Sequence, residues 1–423
     1  MATPGRLTKV LGLPQLVFYA VGVIVGAGIY SVVGAAAGIA GSGLWISFMI
    51  GALVALLTAL SYAEMATCLP QAGAEYVYLS RAFPGAGWAP FAMGIILILG
   101  GAATAATVAV AFGGYLATFV DLPPAFSGLV LLAAMSALAV VGLREAGLAN
   151  AVFTSIEVGG LLIVIAAGWF GPGEQVEAPF DSGGLLPAAA LIFFVYLGFE
   201  EVANLAEEVR NPGRDLPRAI IISLALTTAL YVLVALSIIS LVGPAEIAGN
   251  PAPLATAVER VWSGAAGLLS AIALFATANT VLITLIAGAR MIFSMSRGGD
   301  FPGILGQLSS RGSPVPAAAA FLILSAALLP IADIRILAEL SSFAALLAFL
   351  AVNVALIVLR YRAPMLERPF RVPLSIGRLP LLPVAGIASI IVLLASFDTP
   401  VYAGGAIAFA LGIVAYWLRD RWR

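Results

Sequence analysis

The feature that most constrains this chain is a series of apolar runs, each long enough to cross a lipid bilayer as a helix. We count about twelve runs of roughly 20 mainly apolar residues, which is the length a spanning helix needs. Most linkers are short and contain Pro, Gly or charge. The runs, numbered 1 to 12 in chain order, begin near Leu13, Gly43, Pro90, Pro124, Leu148, Leu185, Pro217, Ser263, Val315, Ile334, Pro380 and Thr399.

The scarcity of charge leads to the same conclusion. Only 10% of the 423 residues are charged and 62% are hydrophobic, whereas roughly a quarter of a soluble protein is charged. We therefore predict an all-α polytopic protein whose solvent is the lipid bilayer. The net charge of -1 gives no reason to expect a nucleic-acid partner. No histidine is present, so proton chemistry within the bilayer would use carboxylates, Tyr, Lys or Arg.

The basic residues predict an orientation. With the N-terminus in the cytoplasm and the runs alternating in direction, every Lys and Arg except Arg260 and Arg335 falls on the cytoplasmic side. Cytoplasmic loops are enriched in these residues. We therefore predict that the protein lies in a cytoplasmic (inner) membrane and that both termini are on its cytoplasmic side. Two connections are predicted to be structured: residues 73–84 as a short interfacial helix, and residues 244–262 as a cap over the outer entrance.

Run 1 contains two glycines in its middle, Gly26 and Gly28, separated only by Ala27. Each weakens a helix by roughly 1 kcal/mol relative to Ala. An unwound segment inside a membrane is tolerated beside a cavity or a ligand. The helix N-terminus after such a break would direct N–H groups at an anion such as a carboxylate. On this motif alone, close helix packing through small residues stays an alternative.

Run 6 also contains a glycine, Gly198, flanked by aromatic residues. Carriers are often built from inverted repeats that each open with a discontinuous helix, and breaks in runs 1 and 6 are what two repeats of five helices would give. We therefore predict a first repeat over residues 10–172, a second over residues 182–362, and two appended helices over residues 378–418.

Several short motifs lie in a fixed order on these predicted elements. They are Gly26-Ala27-Gly28-Ile29-Tyr30, Tyr62-Ala63-Glu64, Glu75-Tyr76-Val77-Tyr78, Gly198-Phe199-Glu200, Arg297-Gly298-Gly299-Asp300-Phe301-Pro302 and Arg368-Pro369-Phe370-Arg371-Val372-Pro373. In this order they make the chain resemble the amino acid–polyamine–organocation superfamily over nearly its whole length. The resemblance implies a five-plus-five inverted-repeat, LeuT-type fold with discontinuous helices in runs 1 and 6.

The resemblance also implies a substrate site between a bundle of runs 1, 2, 6 and 7 and a scaffold of runs 3, 4, 8 and 9. In the family, the substrate carboxylate meets N–H groups of the glycine motif in run 1, and the ammonium meets carbonyls of both breaks. Phe194 falls where relatives have an outer gate. The implied substrate-binding residues are Ile24, Gly26, Ala27, Gly28, Phe194, Tyr196, Leu197 and Gly198.

Acidic residues within the runs are costly in lipid and usually face the protein interior. Glu157 stands where some proton-coupled relatives have Lys. A buried carboxyl that keeps its proton can act as a proton carrier, but Glu157 could equally bind a cation or only brace runs 1 and 8. Asn279 and Thr280 of run 8 are weaker candidates for ion coupling, either as lining of the site or as ligands that complete a cation site.

Three further acids have separate interpretations. Glu200 is expected to brace run 6 near its break. Glu201 is a candidate for ion coupling through the inner aqueous path. Glu339, near the outer end of run 10, is interpreted as reaching water.

The favoured function is secondary active transport of amino acids by alternating access, as proton-coupled symport. Residues 21–25 offer no polar side chain, so a neutral amino acid is the favoured substrate. The small residues 100–107 either line a pocket or let helices pack. The alternatives are an uncoupled amino acid or polyamine exchanger and a sodium-coupled symporter. A channel would need a polar stripe sustained along several helices, and an enzyme would need a cluster of catalytic residues. The sequence has neither pattern. No cofactor or metal is expected.

Overall fold

The computed structural model describes residues 11–70, 74–141, 146–171, 180–206, 209–309 and 313–418, which are almost entirely helical. Several basic residues of the orientation argument lie outside these ranges: Arg6, Lys9, Arg144, Arg311, Arg419, Arg421 and Arg423. The α-helices in the described ranges are α1 (Leu13–Val25), α2 (Gly28–Ala40), α3 (Leu44–Cys68), α4 (Ala74–Ala82), α5 (Trp88–Leu116), α6 (Pro124–Val141), α7 (Ala146–Phe170), α8 (Leu185–Ile192), α9 (Glu201–Asn204), α10 (Pro212–Leu241), α11 (Pro244–Ile247), α12 (Pro253–Glu259), α13 (Ala265–Arg297), α14 (Val315–Leu328), α15 (Ile334–Arg362), α16 (Leu381–Leu394) and α17 (Thr399–Leu418). Two short strands, β1 (Ser375–Ile376) and β2 (Leu379–Pro380), pair as an antiparallel hairpin.

Every predicted run contains a helix that begins within five residues of the predicted start. The largest difference is run 7, which begins at Pro212 and not at Pro217. Proline is favoured at the first helical position because its fixed φ suits the helix and its missing N–H is not needed there. The helix accordingly starts at the earlier proline.

The helices divide by length. Within the described residues, eight helical segments are long and apolar enough to cross a membrane, one of them the segment of residues 185–203 that includes α8 and most of α9. The bent pair α1 and α2 makes a ninth candidate span. Three shorter apolar helices cover residues 124–140, 315–331 and 381–394. This confirms an all-helical protein with multiple candidate spans, whereas the exact number of twelve stays a prediction.

Run 1 is broken where the glycines stand. α1 ends at Val25, α2 begins at Gly28, and their axes differ by 47°. Run 6 is broken as well, because α8 passes into a 3-10 turn over Phe193–Tyr196 and Leu197 is extended. Gly198 then adopts a φ of 118°, a conformation that strongly favours glycine.

Both structured connections are helical. α4 occupies the connection between runs 2 and 3, and the face of the molecule on which it lies is called the α4 face. α11 and α12 form the connection between runs 7 and 8 and pack against α2 at the other end of the molecule, which is called the cap face. A Cβ on Gly34 of α2 would lie 3.1 Å from Pro253, so this packing is close.

α5 crosses the centre of the molecule and packs against α6, α13, α14, α15 and α17. Its small residues serve this packing: a Cβ on Gly100 would lie 2.7 Å from that of Ala344, and one on Gly101 would lie 3.3 Å from Phe321. Thr104 hydrogen-bonds Ser341 of α15 at 2.5 Å. At these positions the structure favours helix packing over a pocket lining.

Candidate functional site

The two breaks lie directly against each other. A Cβ on Gly28 would come within 3.0 Å of the Val195 Cα, and one on Gly198 would come within 3.1 Å of the Val23 carbonyl oxygen. Backbone groups freed by unwinding in run 1 therefore face those freed in run 6. The sequence left two interpretations of these glycines, a helix break and close packing. The structure shows both, because the glycines permit the breaks and also allow the two segments to approach closely.

The carbonyls at the two breaks converge on a side chain that the sequence did not single out. The buried Tyr231 hydroxyl of α10 is 2.7 Å from the Ile24 carbonyl oxygen and 3.1 Å from that of Val195. Since α10 is apolar along most of its length, nothing in its pattern marks this tyrosine as functional. Tyr231 therefore joins both broken helices at the carbonyls predicted to meet a substrate ammonium.

The N–H side of the break has its own partner. The Ala27 backbone N–H donates to the Thr280 Oγ1 of α13 at 2.9 Å. Thr280, a candidate for ion coupling, thus contacts the glycine motif predicted to receive the substrate carboxylate. The helix N-terminus of α2 begins immediately after this N–H.

Aromatic side chains surround the break in run 6. Phe194 is buried, with 4% of its surface exposed. The Tyr196 hydroxyl donates to the Phe48 carbonyl oxygen of α3 at 2.9 Å, and its ring meets Tyr231 edge to face with centroids 5.6 Å apart. Tyr196 thereby fixes the unwound segment against α3 and α10, while Leu197 is only half-buried.

Glu157 is fully buried on α7, between α2 and α13. Its Oε1 is 3.4 Å from the Asn279 amide nitrogen, and its backbone oxygen accepts from the Tyr30 hydroxyl at 2.7 Å. Its Oε2 has no hydrogen-bond partner among the described residues, and neither has the buried Thr154 Oγ1 one turn earlier. The structure thus brings Glu157 and Asn279 together and leaves two buried oxygens of α7 without donors.

The two acids after the break differ in surroundings. Glu200 Oε2 accepts from the Gly198 backbone N–H at 2.8 Å, so this carboxyl holds the break from within. Glu201 is half-buried and lies near Glu75 of α4. The Tyr62 hydroxyl donates to Glu75 Oε1 at 2.8 Å, and burial raises the pKa of Glu75 above its ordinary value.

The interpretation that Glu339 reaches water is wrong. Its side chain is 5% exposed, and Oε1 accepts from the Arg335 Nε at 2.8 Å. Arg335 also binds Asp398 at 2.6 Å. The spacing of Arg335 and Glu339 is i, i+4, which places the two side chains on one helix face, so the pairing had a signal in the sequence.

A buried ionic network joins two of the sequence motifs on the α4 face. The carboxylate of Glu64 on α3 accepts from both the Nε and the Nη2 of Arg360, from Arg368 Nη1 at 2.8 Å and from the Val372 N–H at 2.7 Å. Glu64 is fully buried and Arg360 is 3% exposed. This Glu64 network fastens α3 to α15 and to the segment that follows α15. From the sequence, Arg360 is expected only on the charged cytoplasmic side, and Arg368 has in addition a place in a family motif but no assigned partner.

These features together define a polytopic α-helical membrane protein with two discontinuous helices that face each other around buried backbone groups. Comparison with known proteins narrows this class. A family model described as amino acid permease matches residues 11–416. The chain therefore belongs to this family of the amino acid–polyamine–organocation superfamily, which confirms the resemblance inferred from its motifs.

Its relatives are transporters and not enzymes. The branched-chain amino acid permease BcaP of Bacillus subtilis (strain 168) is 32% identical over 448 residues, covering 99% of this chain and 95% of the relative. The vacuolar cationic amino acid transporter 4 of Arabidopsis thaliana is 32% identical over 389 residues, covering 85% of this chain and 65% of that relative. The methylthioribose transporter of Bacillus subtilis (strain 168) is 29% identical over 441 residues, covering 98% and 94%.

Proposed function

We propose that this protein is a secondary active transporter that moves neutral amino acids across a cytoplasmic membrane by alternating access, coupled to protons. The observation that supports it most is the meeting of the two breaks. The carbonyl oxygens of Ile24 and Val195 converge on the Tyr231 hydroxyl, and the N–H of Ala27, in the same break as Ile24, meets the Thr280 hydroxyl. An amino acid offers an ammonium to such carbonyls and a carboxylate to the N–H groups at a helix N-terminus.

In this proposal two hydroxyl groups make the hydrogen bonds that the substrate's charged groups would make. Tyr231 donates to the carbonyls that an ammonium would meet, and Thr280 accepts from the N–H that a carboxylate would meet. Substrate binding exchanges these hydrogen bonds for charge-assisted ones, which are about twice as strong. Gly26 and Gly28 keep the backbone accessible, and the remaining members of the site are Phe194, Tyr196, Leu197 and Gly198.

Closure on the cap side fits alternating access. Phe194 is the proposed gate; α11 and α12 pack on α2, and α2 also contacts the 3-10 turn that contains Phe194. We further propose the arrangement that the sequence predicts: twelve spans, repeats over residues 10–172 and 182–362, appended helices over residues 378–418, and both termini in the cytoplasm. The α4 face is then the cytoplasmic face.

Glu157 is the proposed proton carrier. It is fully buried, its Oε2 has no partner among the described residues, and its described partner Asn279 is neutral. A buried carboxylate without a cation is strongly unfavourable, so the side chain keeps its proton in this conformation. Glu201 has a proposed secondary role on the path to the α4 face.

Sodium coupling is the second candidate, favoured by one observation. Thr154 Oγ1 and Glu157 Oε2 are buried oxygens without a donor in the described structure, and they stand three residues apart on the same helix. Hydroxyl and carboxylate oxygens suit hard cations. Uncoupled exchange of amino acids or polyamines is the third candidate.

Ligand-induced stabilisation tests the substrate class. A ligand at about 100 times its Kd adds about 2.7 kcal/mol to the stability of the state that binds it. Leucine is expected to stabilise the purified protein, in keeping with the similarity to a branched-chain permease. Arginine and the analogues of leucine without its carboxylate or without its ammonium should have no effect. Equal stabilisation by either analogue contradicts recognition of both charged groups.

A further inference from the structure

The segment between α15 and α16 exposes apolar side chains where a loop in water would be polar. Leu374 and Ile376 have 66% and 70% of their surfaces exposed, and Met365 has 94%. Leu374 and Ile376 belong to the β1–β2 hairpin, defined here as residues 371–380. Exposed apolar groups of this size, grouped on one short element, are typical of a surface that contacts a membrane or another molecule.

The hairpin is held in place rather than loosely attached. The Val372 N–H donates to Glu64 Oε2 at 2.7 Å, and Arg360 Nη1 donates to Ser375 Oγ at 2.7 Å. The Leu381 N–H closes the segment by donating to the Leu374 carbonyl oxygen at 2.9 Å. The Glu64 network therefore fixes the base of the hairpin to the body of the protein.

Leu374 has a backbone conformation that is costly for it. Its φ is 57°, in the left-handed region that residues with a Cβ rarely adopt. Such strain persists only where the surroundings impose it and is found preferentially at functional sites. Here the contacts of Val372, Ser375 and Leu381 impose it, and the result is that Leu374 points outward.

The charge of the hairpin is entirely basic. Arg371 and Arg378 are exposed on either side of the apolar residues, and Arg371 Nη2 donates to the Gly377 carbonyl oxygen at 3.2 Å. The sequence has no acidic residue from position 368 to position 397. Basic residues interleaved with apolar ones suit the surface of a membrane, which has an apolar interior below negatively charged headgroups.

The position of the hairpin agrees with that match. α15, a candidate span, ends at Arg362, and the apolar helix α16 begins at Leu381, the residue directly after the hairpin. The hairpin is therefore at the boundary between the spanning region and water.

We propose that the β1–β2 hairpin is a membrane-surface anchor that inserts Leu374 and Ile376 among the lipids and binds anionic headgroups through Arg371 and Arg378. This inference does not depend on the transported substrate or on the coupling ion. It assigns the connection between the second repeat and the appended helices to binding of lipid.

A fluorescent label on Ile376→Cys, in a Cys68→Ser background, tests the anchor in the full-length protein. The protein is reconstituted in phosphatidylcholine vesicles that contain a trace of spin-labelled phosphatidylcholine or spin-labelled phosphatidylglycerol. Ala245→Cys on the cap face, also exposed, is the matched control. We expect quenching at position 376 and little at position 245, with stronger quenching by the anionic lipid.

Replacing both Arg371 and Arg378 by Gln should lower the preference for anionic lipid by roughly fivefold for each arginine, while quenching by phosphatidylcholine stays. Both side chains are exposed, so the variant should elute from size-exclusion chromatography as the wild type does. Quenching at position 376 as weak as at position 245 overturns the anchor and leaves the surface to a soluble partner. Equal quenching by the two lipids overturns the binding of anionic headgroups.

Discussion

Replacement of Glu64 by Gln removes the carboxylate that faces Arg360 and Arg368 while it keeps the size of the side chain. The structure gives this carboxylate three charge-assisted partners on the two arginines besides the Val372 N–H. With 3% of its surface exposed, Arg360 cannot turn to water. Removing one member of a buried ion pair typically costs 3–5 kcal/mol, since the other charge stays buried without a partner. We therefore expect Glu64→Gln to lower the free energy of unfolding by about 4 kcal/mol.

The matched control is the same substitution in a second ion pair. Glu339 is buried as well, but its partner Arg335 is 38% exposed and keeps Asp398 as a partner. Glu339→Gln is therefore expected to cost at most about 1 kcal/mol.

The assay is reversible unfolding in mixed micelles, followed by tryptophan fluorescence. A double-mutant cycle with Arg360→Gln adds a second criterion, since the two losses should sum to much more than the loss in the double variant. Equal costs for Glu64→Gln and Glu339→Gln, or additive costs in the cycle, would refute the conclusion that this network fastens α3 to α15.

Three further predictions use the same assay. Tyr231→Phe leaves two buried carbonyl oxygens without their donor and should lower the free energy of unfolding by about 1–3 kcal/mol. Saturating leucine should stabilise this variant more than it stabilises the wild type. Equal stabilisation of the two proteins argues against replacement of the hydroxyl by the substrate ammonium. Because burial raises the pKa of Glu75 from its ordinary 4.5, its contribution to stability is complete below pH 4.5 and is lost as the pH rises through the raised value. Glu75→Gln should therefore flatten this decline, and an unchanged slope contradicts the assignment. Gly22→Ala places a methyl group against Thr154, 3.0 Å from its Cγ2, and should lower the free energy of unfolding by about 1–3 kcal/mol. Adding Thr154→Ala should restore part of this loss, and a double variant as unstable as Gly22→Ala alone contradicts the close contact.

Local signals in the sequence were enough to predict the helices and their breaks. Leu13, Pro124 and Leu185 begin helices at the predicted residues, because an apolar run and the proline or glycine that bounds it are adjacent in the chain. The same holds for the breaks at Gly26–Gly28 and Gly198, where glycine permits what other residues resist.

The contacts between distant segments were beyond such signals. Tyr231 reaches Ile24 from 207 positions away, and Glu64 reaches Arg360 across 296. The period of an apolar helix tells which residues share a face but not which helix that face meets. The partners of buried polar groups therefore had to come from the structure, whereas the Arg335 and Glu339 pair was visible as an i, i+4 spacing and was overlooked.

Uptake into proteoliposomes tests the central claim most directly, namely that Glu157 couples amino acid movement to protons. The protein is reconstituted in sodium-free buffer, and labelled leucine uptake is measured with and without an inward proton gradient. Glu157→Gln is compared with the wild type, with Glu339→Gln as the control for loss of a buried carboxylate.

We predict concentrative uptake that requires the gradient, survives in Glu339→Gln and disappears in Glu157→Gln, while exchange with preloaded leucine persists in Glu157→Gln. Uptake that is independent of the proton gradient and appears only with amino acid preloaded inside would contradict proton coupling. The protein would then be an exchanger, and Glu157 would have a structural role between α2, α7 and α13.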